Sequence, residues 1–143
     1  MIYNICRFKK QEEEQWDYLM GLFDGIMGNA SEFSIEETQK QYGHLLSNNE
    51  VINKAYKLIR DMFIFTNRRL ILIDVQGLTG KKIEYRSIPY SKITSFSVET
   101  AGHFDLDAEL KIWVSGLPQP IQKQFNKTLN IYEVQAELAE HVI

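Results

Sequence analysis

The sequence predicts a mainly β chain with helices, of α+β class: a small seven-stranded antiparallel barrel capped by a C-terminal helix and preceded by N-terminal helices. Two observations carry this expectation. After the polar break Ser47, Asn48 and Asn49 the chain turns into short β-branched and aromatic runs separated by turn residues. It then ends on a segment whose apolar residues recur at helical spacing behind a capping asparagine, Asn130.

Length and composition fit one such domain. The chain has 143 residues, 44% hydrophobic and 24% charged. A chain of that size buries roughly two-thirds of its unfolded surface, so one core suffices. A formal net charge of -3 gives no overall attraction to phosphate backbones or anionic lipid, so any such binding has to be local. Nucleic acid is not an expected partner. Cys6 is the only cysteine, which excludes an intrachain disulfide and removes the main argument for an oxidising compartment. Glu12, Glu13 and Glu14 follow the basic start where a secretory signal needs an apolar run, and no stretch reaches the apolar length of a membrane-spanning helix. The expected compartment is the cytoplasm, with no integral membrane segment.

In chain order, Trp16, Leu19, Met20, Phe23, Ile26 and Met27 mark one stripe of a first helix, weakened by Gly21 and Gly25. That stripe suits packing on its own barrel or on a neighbour better than a membrane, because Glu12, Glu13, Glu14, Asp17 and Asp24 lie on its polar side. Ser34 and Glu37 form a capping box for a second helix running to about His44, with Ile35, Tyr42, Leu45 and Leu46 on its buried side. Strands are expected at Val51–Arg60, Met62–Thr66, Leu70–Val75, Lys81–Ser87, Ile93–Thr100, Glu109–Ser115 and Ile121–Phe125. Asn67 and Arg68 tip one hairpin and Gly77 to Gly80 another; short turns make sequence neighbours sheet neighbours. Leu110, Ile112 and Val114 alternate with polar residues, which sends Trp113 to the opposite face. Met62–Phe65 and Leu70–Ile73 are apolar on both sides, so both faces of those strands need cover from a helix or a neighbouring subunit. In the last segment Glu133 stands third after Asn130, and Ile131, Val134, Leu138 and Val142 form the stripe to be buried.

The stretches Phe65-Thr66-Asn67-Arg68-Arg69-Leu70-Ile71-Leu72, Gly77-Leu78-Thr79-Gly80-Lys81-Lys82, Ser87-Ile88-Pro89-Tyr90 and Ser97 through Asp107 resemble the bacterial pleckstrin-homology-like family. The resemblance runs from Met20 to the C-terminus. Residues 1–19 therefore read as an N-terminal extension or an over-long gene start. Residues 20–143 read as one domain, with N-terminal helices at 20–46, the barrel at 51–126 and the C-terminal helix at 130–143. The family implies a pleckstrin-homology fold, ring-like homo-oligomers and no catalytic residues. Its eukaryotic counterparts hold phosphoinositides on lysines and arginines of a long first hairpin loop. Here Leu58-Ile59-Arg60-Asp61-Met62-Phe63 leaves almost no such loop, so phosphoinositide binding by that route is not expected.

Three sets of residues are candidates for function. Phe104, Asp105, Leu106 and Asp107, with Trp113, Phe63 and Phe65, are candidate contacts for self-association or for a protein partner. Arg68, Arg69, Lys81, Lys82 and Arg86 are a candidate basic patch for an anionic small molecule or lipid head group; charges guarding exposed strand edges explain the same residues. His103, Asp105, Asp107 and Glu109 alternate and share one face of an extended segment, as three oxygen ligands and an imidazole for a divalent cation. Solvated charge on a turn and strand edge explains them as well, so no resident metal or other cofactor is expected. His44, His103 and His141 lie on different elements without a nucleophile motif, and the chain reads as a non-enzymatic interaction module.

Overall fold

The computed structural model describes residues 34–58, 60–100, 107–126 and 130–143. The first expected helix, Trp16 to Met27, lies outside the described residues. In chain order the elements are α1 (Ile35–Tyr42), β1 (Ile52–Lys57), β2 (Met62–Thr66), β3 (Arg69–Gln76), β4 (Lys82–Pro89), β5 (Ile93–Glu99), β6 (Asp107–Val114), β7 (Ile121–Asn126) and α2 (Ile131–Val142).

All seven strands form, as antiparallel meanders, but in two sheets of order β1-β2-β3-β4 and β5-β6-β7. The expected single closed barrel is thus corrected to two sheets. No ladder joins β4 to β5 across Pro89 and the 3₁₀ turn Tyr90–Lys92, and the two sheets meet instead through side chains. Their facing surfaces hold the main core: Tyr56, Phe63, Phe65, Leu70, Leu72 and Ile88 from the first sheet, and Ile93, Leu110, Ile112 and Phe125 from the second. Phe63 stacks on Phe125 with centroids 5.5 Å apart, and Tyr56 meets Phe65 edge-on at 5.9 Å. α2 closes this core with Ile131, Val134 and Leu138, all buried, after Asn130 accepts the Tyr132 N–H at 3.1 Å as its cap.

The strand ends differ from expectation where local hydrogen bonds compete with the ladder. The first strand stops at Lys57, because the Leu58 N–H turns to the Asp61 carbonyl at 2.8 Å and starts the tight connection to β2. β4 runs on to Pro89, opposite Arg69, a position where an edge strand tolerates a missing N–H. The Ser34 capping box forms, its oxygen accepting the Glu37 N–H at 3.1 Å. α1 then ends at Tyr42 and a 3₁₀ turn, Gly43–Leu45, carries the chain onward.

β2 is buried along its whole length, and Leu70 to Ile73 of β3 likewise. Their second face is covered from within the chain: Tyr42, Leu45 and Leu46 lie over Ile52, Ala55, Met62, Ile64, Ile71 and Ile73. Ile35, expected on the buried side of α1, is instead 49% exposed.

One polar cluster fixes this outer layer. Glu50 has a side chain 1% exposed and receives both Nε and Nη2 of Arg69, at 2.8 and 3.0 Å. Thr66 Oγ1 at 2.8 Å, Ser47 N at 2.8 Å and Ser47 Oγ at 3.0 Å fill its remaining lone pairs. Arg69 spends its other donors on the Leu45 carbonyl, 2.7 Å, and Ser87 Oγ, 2.6 Å. The guanidinium holds the Glu50 carboxyl down at about 2, against the penalty of burial.

Glu50 ionises near 4.5 when unfolded and at about 2 when folded, so its contribution is complete above about pH 4.5 and drains away as pH falls toward 2. Glu50→Gln is expected to lower stability at pH 7 by about 3–5 kcal/mol. It should also flatten the acid limb of stability between pH 4.5 and 2, as read from urea unfolding at each pH. Leu138, fully buried, is expected to cost about 2–5 kcal/mol on truncation to alanine, measured the same way.

Candidate functional site

A meander places its turns at alternating ends. The β2–β3 turn, with Arg68 and Arg69, lies at one end of the first sheet; the β1–β2 and β3–β4 turns, with Arg60, Lys81 and Lys82, lie at the other. Seven residue steps of β3 separate the two ends, about 23 Å in an extended strand. The expected basic patch is therefore split. Arg69 is committed to Glu50, and Arg86 pairs with Glu84 at 2.8 Å in mid-strand. Arg68, Lys81 and Lys82 are exposed.

The interface candidates separate as well. Phe63 and Phe65 are 1% exposed and serve the chain's own core, because β2 is central in its sheet and faces β7 and α2. They are corrected from contact residues to core residues. Trp113 does stand on the outer face of the second sheet, 37% exposed, among Ser95, Lys111 and Gln122. Phe104, Asp105 and Leu106 lie outside the described residues, as does the side chain of Asp107, whose backbone opens β6.

Of the metal candidates, His103 and Asp105 also lie outside the described residues. Glu109 has Lys111 Nζ at 3.8 Å and stands opposite Glu99. Among the described residues no group of three or more His, Cys, Asp or Glu side chains converges as a cation site.

Sequence reasoning missed a cleft along the free edge of β7. One part, about 360 Å³, lies between the β6–β7 turn at Leu117, Pro118 and Pro120 and the inner surface of β3 and β4 at Leu72, Asp74, Glu84 and Arg86. The next, about 370 Å³, continues past Lys123 to Leu58, Arg60 and Asp61. Lys123 spans the two sheets here, 2.7 Å from Asp61 and 3.7 Å from Asp74. Asp61 also accepts the Val75 N–H at 3.2 Å. The carboxylates in the cleft thus already have cations, and the cleft is open to solvent along its length. Alternation along β7 places Lys123 on the inner face, but only the fold brings Asp61 to it across 62 residues.

His141, expected to sit favourably at a helix C-terminus, has Nδ1 2.9 Å from the Glu137 carbonyl and Nε2 3.1 Å from Asn53 Nδ2. Its ring stacks on Tyr90, centroids 4.5 Å apart, and the Tyr90 hydroxyl donates to the Thr66 carbonyl at 2.6 Å. The group joins α2 to β1 and β2 of the first sheet and to the turn at Tyr90 that leads to the second.

Among the described residues no helix is long and apolar enough to cross a membrane. Lys123→Ala and Asp61→Ala are each expected to cost about 1.5–3 kcal/mol, the range for a charge-assisted bond with restricted solvent access. The double variant should cost less than the sum of the two, as a urea double-mutant cycle will show.

The chain superimposes on solved pleckstrin-homology domains. A DUF1696 family protein with a pleckstrin-homology domain from Shewanella loihica PV-4 superimposes with a TM-score of 0.72 at 49% identity, covering 81% of this chain and 99% of that one. A pleckstrin homology domain from Shewanella amazonensis SB2B gives 0.72 at 46% identity, with 85% and 98% covered. The uncharacterised protein YjqA of Bacillus subtilis (strain 168) is 54% identical over 121 residues, 84% of this chain and 97% of its own length. YozO of the same strain is 35% identical over 103 residues, 72% and 88%. The bacterial PH domain family model matches residues 21–142, and the chain belongs to that family.

Proposed function

We propose that the chain is a non-enzymatic module that associates with copies of itself in a ring and presents a shared surface to a protein partner. The observation that carries this reading is the free strand β4. It ends its sheet, and its outer face exposes Ile83 at 41% and Tyr85 at 44%, opposite Val75 and Ile73. Among the described residues, Tyr42, Leu45 and Leu46 cover β1 to β3 on that face, and Ile83 and Tyr85 of β4 stay exposed. Trp113 supplies a second exposed apolar surface, on the other sheet. A closed ring is built from two unlike patches that meet head to tail, and these two fit that requirement. Membership of a family of pleckstrin-homology domains, a fold that serves many binding functions, supports a module without catalysis of its own.

The small-ligand alternative through Arg68, Arg69, Lys81, Lys82 and Arg86 as one patch has lost its basis, since those residues stand at opposite ends of the hairpin or in ion pairs.

Light scattering on the purified chain at micromolar concentration is expected to give several times the monomer mass; a strict monomer overturns the reading. Trp113→Glu and Tyr85→Glu should each weaken association by about 2 kcal/mol or more, roughly thirty-fold in dissociation constant. Mixing the two variants should restore a heterodimer, since each retains the face the other lacks.

A further inference from the structure

We propose that the free edge of β7 takes up an extended segment of a protein partner as an added strand, seated in the cleft between the two sheets. This rests on the reading of the chain as a module that binds a protein, and it needs no ring. Backbone N–H and C=O groups are obligatory hydrogen-bonding groups, and along one side of β7 they meet no ladder, since this strand pairs with β6 alone. The other edge of the same sheet, β5, packs against α2. Beside β7 a cleft of about 360 Å³ is already open, between the β6–β7 turn and Leu72, Asp74, Glu84 and Arg86 of β3 and β4. A strand laid there extends the second sheet by one, with one face toward β3 and β4 and the other toward solvent.

The lining sets the chemistry of the occupant. Asp74 lies 3.7 Å from Lys123 and Glu84 2.8 Å from Arg86, so these charges are met from within the chain and call for none in the ligand. Leu72, Leu117, Pro118, Pro120 and Ile121 supply an apolar surface at the start of β7, and Leu117 is 40% exposed. An unpaired strand edge beside an apolar surface is complemented by another strand: main-chain pairing gives affinity, and apolar side chains at alternate positions fix the register. The cleft is open along its length, as an extended chain requires, and the five residue steps of β7 span about 17 Å. Pro118 and Pro120 fix φ on either side of Gln119, so the turn is held beside the cleft before anything binds. An inward charge on an edge strand opposes such pairing when it is bare, but Lys123 is held by Asp61 at 2.7 Å.

The test selects phage-displayed random peptides on the full chain and measures a selected synthetic peptide by fluorescence anisotropy. The peptide is expected to alternate apolar and polar residues and to bind with an affinity that hardly changes with salt. N-methylation of single backbone nitrogens in the peptide should weaken binding about ten-fold at every second position and leave the positions between unchanged, because alternate N–H groups of an added strand face its neighbour. On the protein, alternate amides of β7 should gain protection from hydrogen exchange. Leu117→Ser should weaken binding several-fold without altering thermal unfolding, since its side chain is substantially exposed. Tyr85→Glu, expected to weaken self-association, should bind the peptide like the parent, so either proposal can fail without the other. No recovered peptide, N-methylation without the alternate pattern, or binding unchanged in Leu117→Ser overturns the proposal. Binding lost in Tyr85→Glu places the peptide on the outer face of β4 and overturns it too.

Discussion

The hairpin from Met62 to Ile73 has no wet face, and the architecture follows from that. A strand pair apolar on both sides is unstable until each side is covered. The inner side is met by the second sheet and by α2 through Phe125, Leu110, Ile112, Val134 and Leu138. The outer side is met by the chain that precedes β1, through Tyr42, Leu45 and Leu46. Neither cover is optional: fully burying one such side chain is worth roughly 1.5–3 kcal/mol, and β2 alone commits Met62, Phe63, Ile64 and Phe65.

Cover on the outer side demands a device that the hydrophobic effect does not provide. Burial is non-directional, and Tyr42, Leu45 and Leu46 give the short α1 and its 3₁₀ extension only partly buried contacts with which to choose a position. Glu50 and Arg69 choose it. Because Arg69 reaches the Leu45 carbonyl while gripping Glu50 with two nitrogens, the incoming segment is pinned to the β2–β3 turn at a defined height. Thr66 completes the join, donating to Glu50 and accepting the N–H groups of Arg68 and Arg69. A buried pair of this kind contributes less to net stability than to a single arrangement, but loss of one partner strands a charge.

Much of this was legible in the residues. The turn chemistry of Asn67-Arg68 and Gly77-Gly80 marked both hairpins, Asn130 and Ser34 marked the helix starts, and alternation around Trp113 assigned it outward. The double-sided apolar strands announced that something would lie over them. What covered them was hidden, because the signal for Glu50 is a partner nineteen residues away and nothing local sets Glu50 apart from solvated glutamates. Phe63 and Phe65 were read as contact surface for the same reason: hydrophobicity shows that a face is buried and leaves open whether the chain itself buries it. The division of the basic residues, by contrast, followed from the expected meander, since successive turns of a meander fall at opposite ends.

The same rule of alternating ends explains why the exposed features of the molecule are unlike one another. Arg69 and its partners tie one end of the first sheet to α1, so that end is spent on structure. The opposite end carries no covering helix among the described residues, and there the chain places Gly77, Gly80 and the exposed Leu78, with Arg60 bonded to the Gly77 carbonyl. Between the ends, among the described residues, Tyr42, Leu45 and Leu46 lie over β1 to β3 on the outer face, while Ile83 and Tyr85 of β4 stay exposed. The polarity of the meander therefore decides that the β3–β4 tip lies at the end of the sheet away from the Glu50–Arg69 latch, so the residues that fix the outer cover and those of the tip are set independently along the sequence.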